Sequence, residues 1–107
     1  MSDWVDVKPL SRLPEGSVSL LKVGGTEVAV FNIGGQFYAI EDVCTHDGGS
    51  LAAGDVEGFE IICPRHGACF DLRTGKVTAP PACEDIATFA VRIHDGRVQV
   101  RDERHDG

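Results

Sequence analysis

The sequence predicts an all-β protein: a small antiparallel β-sandwich or barrel, interrupted once by an inserted loop-rich segment. Three observations predict it. Val and Ile total 18 residues against 6 Leu, and β-branched side chains, stiff at χ1, pack well on a pleated surface. Paired turn residues recur between short apolar runs, at Gly24-Gly25, Gly34-Gly35 and Asp95-Gly96. No stretch spaces its apolar residues for three turns of helix.

The elements follow in order. Trp4 to Lys8 reads as a first strand and Ser17 to Val23 as a second. Gly24-Gly25 turns the chain into a strand over Thr26 to Ile33. Gly34-Gly35 turns it again into Gln36 to Ile40. Glycine pairs suit such hairpins because they accept positive φ without a Cβ clash. A late hairpin joins Ile86–His94 to Arg97–Arg101. Ala87, Phe89, Val91 and Ile93 alternate with their neighbours, as do Val98 and Val100, so one face is expected to be buried.

At 107 residues the chain has the size of one domain, spanning 1–107, with a polar tail over 102–107. The start has neither a basic n-region nor an apolar h-region, and no apolar run approaches the ~18 residues of a membrane span. The expectation is a cytoplasmic protein without membrane contact, in a compartment where cysteines serve as ligands or thiols more often than as disulfides.

The formal net charge is −7, which argues against nonspecific nucleic-acid binding. All of it lies between Val23 and Pro64, a stretch without Lys or Arg that holds Glu27, Glu41, Asp42, Asp47, Asp55, Glu57 and Glu60.

The middle of the chain, about 43–81, breaks the strand rhythm and holds three of the four cysteines, with Cys83 just beyond it. Loop-rich interruptions of a sheet are where function tends to sit. Two fragments there pair a thiolate with an imidazole: Cys44-Thr45-His46-Asp47-Gly48-Gly49 and Cys63-Pro64-Arg65-His66-Gly67. Sixteen residues separate His46 from Cys63. A strand pair around Val56 and Phe59–Ile62 can bring the two loops face to face. Ordinary zinc fingers group cysteines in one pair and histidines in another. Here each loop supplies one of each. Ligand chemistry leaves a mononuclear zinc site open, but a [2Fe–2S] centre with two Cys on one iron and two His on the other fits better.

These fragments resemble the Rieske signature, Cys-x-His followed by Cys-x-x-His. The surrounding Gly67, Phe70-Asp71, Thr74-Gly75 and Pro80-Pro81 agree with it. The chain looks most like the small stand-alone Rieske ferredoxins of multicomponent non-haem iron (ring-hydroxylating) oxygenases. The resemblance implies that 43–81 is a cluster-binding subdomain. It implies one [2Fe–2S] cluster, with Cys44 and Cys63 on the inner iron and His46 and His66 on the outer one. Pro80-Pro81 would lie in the loop that covers the cluster. Gly48, Gly49 and Gly67 would let backbone N–H groups approach the sulfides.

The implied role is one-electron carriage from a flavin-dependent reductase to a terminal oxygenase. No small-molecule substrate is bound directly, and the chain itself is not an enzyme. A terminal oxygenase needs a second iron on two His and a carboxylate, and only His94 and His105 remain for it. Other readings are a small subunit of an assimilatory nitrite reductase or other redox complex, or a zinc-holding structural domain.

Two details refine the resemblance. Gly49 and Arg65 stand where respiratory Rieske proteins carry an extra disulfide, so that bridge cannot form. Ala68 and Phe70 stand near where those proteins place hydroxyl donors to the cluster. Fewer hydrogen bonds to sulfur imply a potential near about −150 mV rather than +300 mV. Cys69 and Cys83 are expected to be bystander thiols. Glu41, Asp42 and Asp47 beside the first loop, with Arg65, Arg73 and Lys76 on or after the second, predict a tip of mixed sign. Its acidic flank would steer docking to basic patches on redox partners.

Overall fold

A computed structural model describes residues 4–43, 50–64, 67–80 and 84–102. In chain order the strands are β1 (Val5–Pro9), β2 (Val18–Val23), β3 (Thr26–Ile33), β4 (Gln36–Glu41), β5 (Asp55–Glu57), β6 (Glu60–Ile62), β7 (Cys69–Asp71), β8 (Val77–Ala79), β9 (Thr88–His94) and β10 (Arg97–Arg101), with a 3-10 turn over Leu10–Arg12. There is no α-helix among the described residues, and so none long and apolar enough to cross a membrane. The expected all-β class holds.

Six strands form one antiparallel sheet in the order β1-β10-β9-β4-β3-β2, and β1 approaches β2 so that the sheet nearly closes into a barrel. The remaining four form a small sheet, β5-β6-β7-β8. The hairpins close where the turn pairs stand. Gly34 and Gly35 both have positive φ, 61° and 90°, the twist that two-residue hairpins need. Asn32 secures this turn: its Oδ1 accepts from Gly35 N–H at 2.9 Å and its Nδ2 donates to the Leu13 carbonyl at 2.8 Å.

Strands β3 and β4 are the wall between two cores. Val28, Val30 and Ala39 face the barrel interior with Leu13, Val23, Phe89, Val98 and Val100. Ala29, Phe31 and Ile40 face the other way, against Leu51, Ile61, Cys63, Ala68, Phe70, Leu72 and Ile86. The second core binds the small sheet to the barrel. Burial on both faces is why β3 reads as a nearly continuous apolar run.

The structure departs from the sequence expectation in three places. The middle segment contains β7 and β8 as well as the expected β5–β6 pair. Three-residue strands are too short to display a period of two. The late hairpin begins at Thr88. Ile86 precedes it as a buried loop residue whose N–H donates to the Gly75 carbonyl at 2.8 Å. Ile93, expected on the buried face, is 52% exposed, because it lies one residue from the turn that closes the hairpin.

Candidate metal centre

Of the four expected ligands, Cys63 is described. Cys44, His46 and His66 lie outside the described residues, as do Asp47, Gly48, Gly49, Arg65, Pro81, Cys83 and His105.

Cys63 follows directly on β6 and is 1% exposed. Its N–H donates to the Ala68 carbonyl at 2.7 Å, and Gly67 N–H donates back to the Cys63 carbonyl at 3.1 Å. The second loop is therefore at the closed end of the β6–β7 hairpin, its described ends joined by backbone hydrogen bonds. Gly67 has φ +77°, a conformation that glycine adopts without strain. That is a conformational reason for glycine here, besides the room for approach to a sulfide expected of it.

The first loop leaves β4 and returns through Ser50 and Leu51. Strands β4 and β5 do not pair with each other, so among the described residues no ladder closes this loop. A side chain joins its ends. Asp42 Oδ1 accepts from the N–H groups of Leu51 and Ala52, each at 2.8 Å, and Asp42 Oδ2 accepts from Ser50 Oγ at 2.8 Å. Sequence reasoning treated Asp42 only as a surface acid. The signal that could have found it is its place just before the loop, with small and polar residues at the return.

The described ends of the two loops meet in one core. Leu51, at the return of the first, shares one buried core with Cys63 and Ala68 at the two ends of the second. This is an apolar lining around a soft thiol donor, and it fits the inner iron of a centre with Cys and His ligands. Ala68 and Phe70 are fully buried and bring no hydroxyl to this lining, as expected.

Cys69 is a free, half-buried thiol whose Sγ donates weakly to the Gly67 carbonyl at 3.4 Å. Burial pushes its pKa up, and the carboxylates of Glu60 and Glu57 push it further. The exposed His94 lies 3.3 Å from the Asp95 carboxylate.

The mixed-sign tip needs correction. Arg73 and Lys76 lie in the β7–β8 turn, at the far end of β7 from the second loop. Three strand residues carry the chain roughly 10 Å away. Arg73 is also occupied: its guanidinium is bidentate on Asp71, at 3.0 and 3.1 Å, and lies 4.4 Å from the Phe59 ring centroid. Phe59 in turn meets Tyr38 edge to face. Asp42 is likewise turned inward by its three hydrogen bonds. Asp55 and Glu57 remain exposed on the small sheet.

Together these observations define a nearly closed antiparallel barrel that carries a small four-stranded sheet, with a buried cysteine at the closed end of its β6–β7 hairpin. The chain belongs to the Rieske [2Fe-2S] domain family, whose model matches residues 3–90; such clusters are held by two Cys and two His. It is 40% identical over 101 residues to the ferredoxin component of the naphthalene 1,2-dioxygenase/salicylate 5-hydroxylase systems of a Ralstonia species, covering 94% of this chain and 97% of that one. Among solved structures it superposes with a TM-score of 0.89, at 35% identity and 97% coverage of both chains, on a chain of the complex of reduced oxygenase and oxidized ferredoxin in carbazole 1,9a-dioxygenase. A putative NADH-dependent nitrite reductase small subunit from Mycobacterium tuberculosis shares the fold, with a TM-score of 0.84, at 21% identity.

Proposed function

We propose that Cys44, His46, Cys63 and His66 hold one Rieske [2Fe–2S] cluster, and that the chain carries single electrons from a flavin-dependent reductase to a terminal non-haem iron oxygenase. The observation that carries this reading is the convergence of the two loop ends on one apolar core, with Cys63 buried in it. The similarity to ferredoxin components of dioxygenase systems supports the choice of partners. The nitrite reductase alternative has only a distant likeness of fold behind it.

When bound, the cluster takes up and releases one electron without any bond to substrate being made or broken. The chain's own residues set the conditions. The buried Cys63 thiolate gives a soft donor shielded from water. Ala68 and Phe70 leave their part of the lining without hydroxyl donors, which favours a low potential. The backbone bonds between Cys63, Gly67 and Ala68 fix the second loop, so that little rearrangement accompanies a change of charge.

Acidic side chains near the loops, Glu41 among them, steer encounter with basic partner surfaces. In a reconstituted system of reductase, this protein and oxygenase, electron delivery is expected to require this chain and to slow as ionic strength rises. Delivery that proceeds equally well without it overturns the proposal.

A further inference from the structure

We infer that Asp42 is the positioning residue of the first ligand loop, tying together the two ends, at 42 and 50–52, of the segment to which Cys44 and His46 belong. The inference rests on the reading that these two are cluster ligands.

The two loops are closed by different means. The ends of the second loop are joined by the backbone hydrogen bonds of the β6–β7 hairpin. Among the described residues the first has no such ladder. On its outgoing side the chain is fixed to the barrel: Asp42 N–H donates to the Glu27 carbonyl at 2.9 Å, and Glu41 N–H to the Ala87 carbonyl at 2.9 Å. On its return, among the described residues, the chain is held by the Asp42 carboxylate, through Ser50 Oγ and the N–H groups of Leu51 and Ala52. Two of the three donors are backbone groups that would otherwise need water or another acceptor.

The clamp also seats Leu51, fully buried beside Cys63. Asp42 thus couples three things: the barrel through Glu27, the return of the first loop, and the core around the second loop's cysteine. A carboxylate is suited to this because its two oxygens accept from several donors at once.

The geometry makes a distinction that charge alone does not. Asparagine at position 42 can keep all three bonds: its carbonyl oxygen accepts from Leu51 and Ala52, and its amide donates to Ser50 Oγ, whose hydroxyl rotates. Alanine keeps none. If Asp42 acted only as a negative charge near the cluster, the two replacements would behave alike.

The test uses the cluster-loaded full chain. Wild type, Asp42→Asn and Asp42→Ala are exposed to excess iron chelator, and the loss of visible absorbance is timed. The EPR line shape of each reduced protein is recorded. Asp42→Ala is expected to bleach at least about tenfold faster than wild type, the scale on which groups that orient metal ligands act, with a broadened signal. Asp42→Asn is expected to restore both rate and line shape.

Bleaching of Asp42→Ala at the wild-type rate, or of Asp42→Asn as fast as Asp42→Ala, overturns the inference. Should Asp42→Ala fail to fold, Ser50→Ala removes one of the three bonds. Faster bleaching of that variant supports the clamp, and an unchanged rate overturns it. A wild-type protein without a Rieske-type signal refutes the cluster reading instead, before any variant is compared.

Discussion

Gly54 lies so close to Ile62 that a Cβ on Gly54 would sit 1.9 Å from the Ile62 carbonyl oxygen. This contact lays the segment that leaves the first ligand loop directly on the strand that leads into Cys63. The obstacle is backbone, so it cannot swing aside as a long side chain would. Gly54→Ala is therefore expected to separate the two loops' supports. Overpacking of this kind costs about 1–3 kcal/mol or more. Urea unfolding of the loaded protein should show the loss, together with lower iron content after purification. Wild-type stability and full iron loading would contradict the contact.

Gly75 joins the small sheet to the barrel in a similar way. Its φ is +78°, and a Cβ there would lie 2.1 Å from the Ile86 carbonyl oxygen. Gly75→Ala combines backbone strain with a clash, and is expected to destabilise by at least about 1–3 kcal/mol. The measurement is again the unfolding midpoint. Because Gly75 lies at the β7–β8 turn, away from the loops, the folded fraction should keep a normal cluster spectrum.

Cys69 is predicted to be slow to alkylate. Burial raises its pKa, and the nearby Glu60 and Glu57 raise it further, so less thiolate is present at neutral pH than for an ordinary cysteine. Glu60→Gln removes one of the two charges and should speed labelling of Cys69, read by peptide mass spectrometry. Labelling at the same rate in both proteins would remove the carboxylates as a cause.

Asp71 gives a pH dependence with a definite sign. Its carboxyl is held below the usual carboxylate range, first by the hydrogen bond from the Arg73 side chain and then by Arg73 N–H. The folded protein binds this proton less readily than the unfolded chain. The stabilisation is thus complete above the unfolded value of about 3.9, and is lost as pH falls through the lower folded value. The stability difference between wild type and Asp71→Asn should be constant from about pH 7 to 5 and shrink below about pH 4. A difference that persists unchanged under acid conditions would contradict the pairing.

Much of the fold was legible because its signals are local. The glycine pairs at 24–25 and 34–35 mark real turns, and the strands around them lie within a residue or two of expectation. The candidate ligands stand out in the sequence because a cluster demands particular side chains from short loops; of the four, Cys63 lies among the described residues. What escaped depends on contacts distant in sequence. Strands β7 and β8 are recognisable only by their pairing with β6 and with each other. Asp42 looks like a surface acid until its donors are brought round by the loop, and Arg73 looks like part of the ligand loop until β7 carries it away. Close approaches such as Gly54 to Ile62 leave no sequence mark beyond a glycine.

The absence of hydroxyl donors at Ala68 and Phe70, both fully buried, places the reduction potential near the low end of the Rieske range. A potentiometric titration should give a midpoint near about −150 mV, and a value above roughly +100 mV would contradict the account of the lining. Phe70→Tyr brings a hydroxyl into this lining, and the midpoint should rise if that group reaches a sulfur.

The central claim is a cluster on two cysteines and two histidines drawn from two loops. The most direct measurement is the EPR spectrum of the dithionite-reduced protein, beside that of Cys63→Ser. The account predicts a Rieske-type signal from the red-brown wild-type protein, and its loss or gross alteration in Cys63→Ser. A colourless, zinc-containing protein, a spectrum typical of four-cysteine ligation, or an unchanged Rieske signal in Cys63→Ser would contradict it.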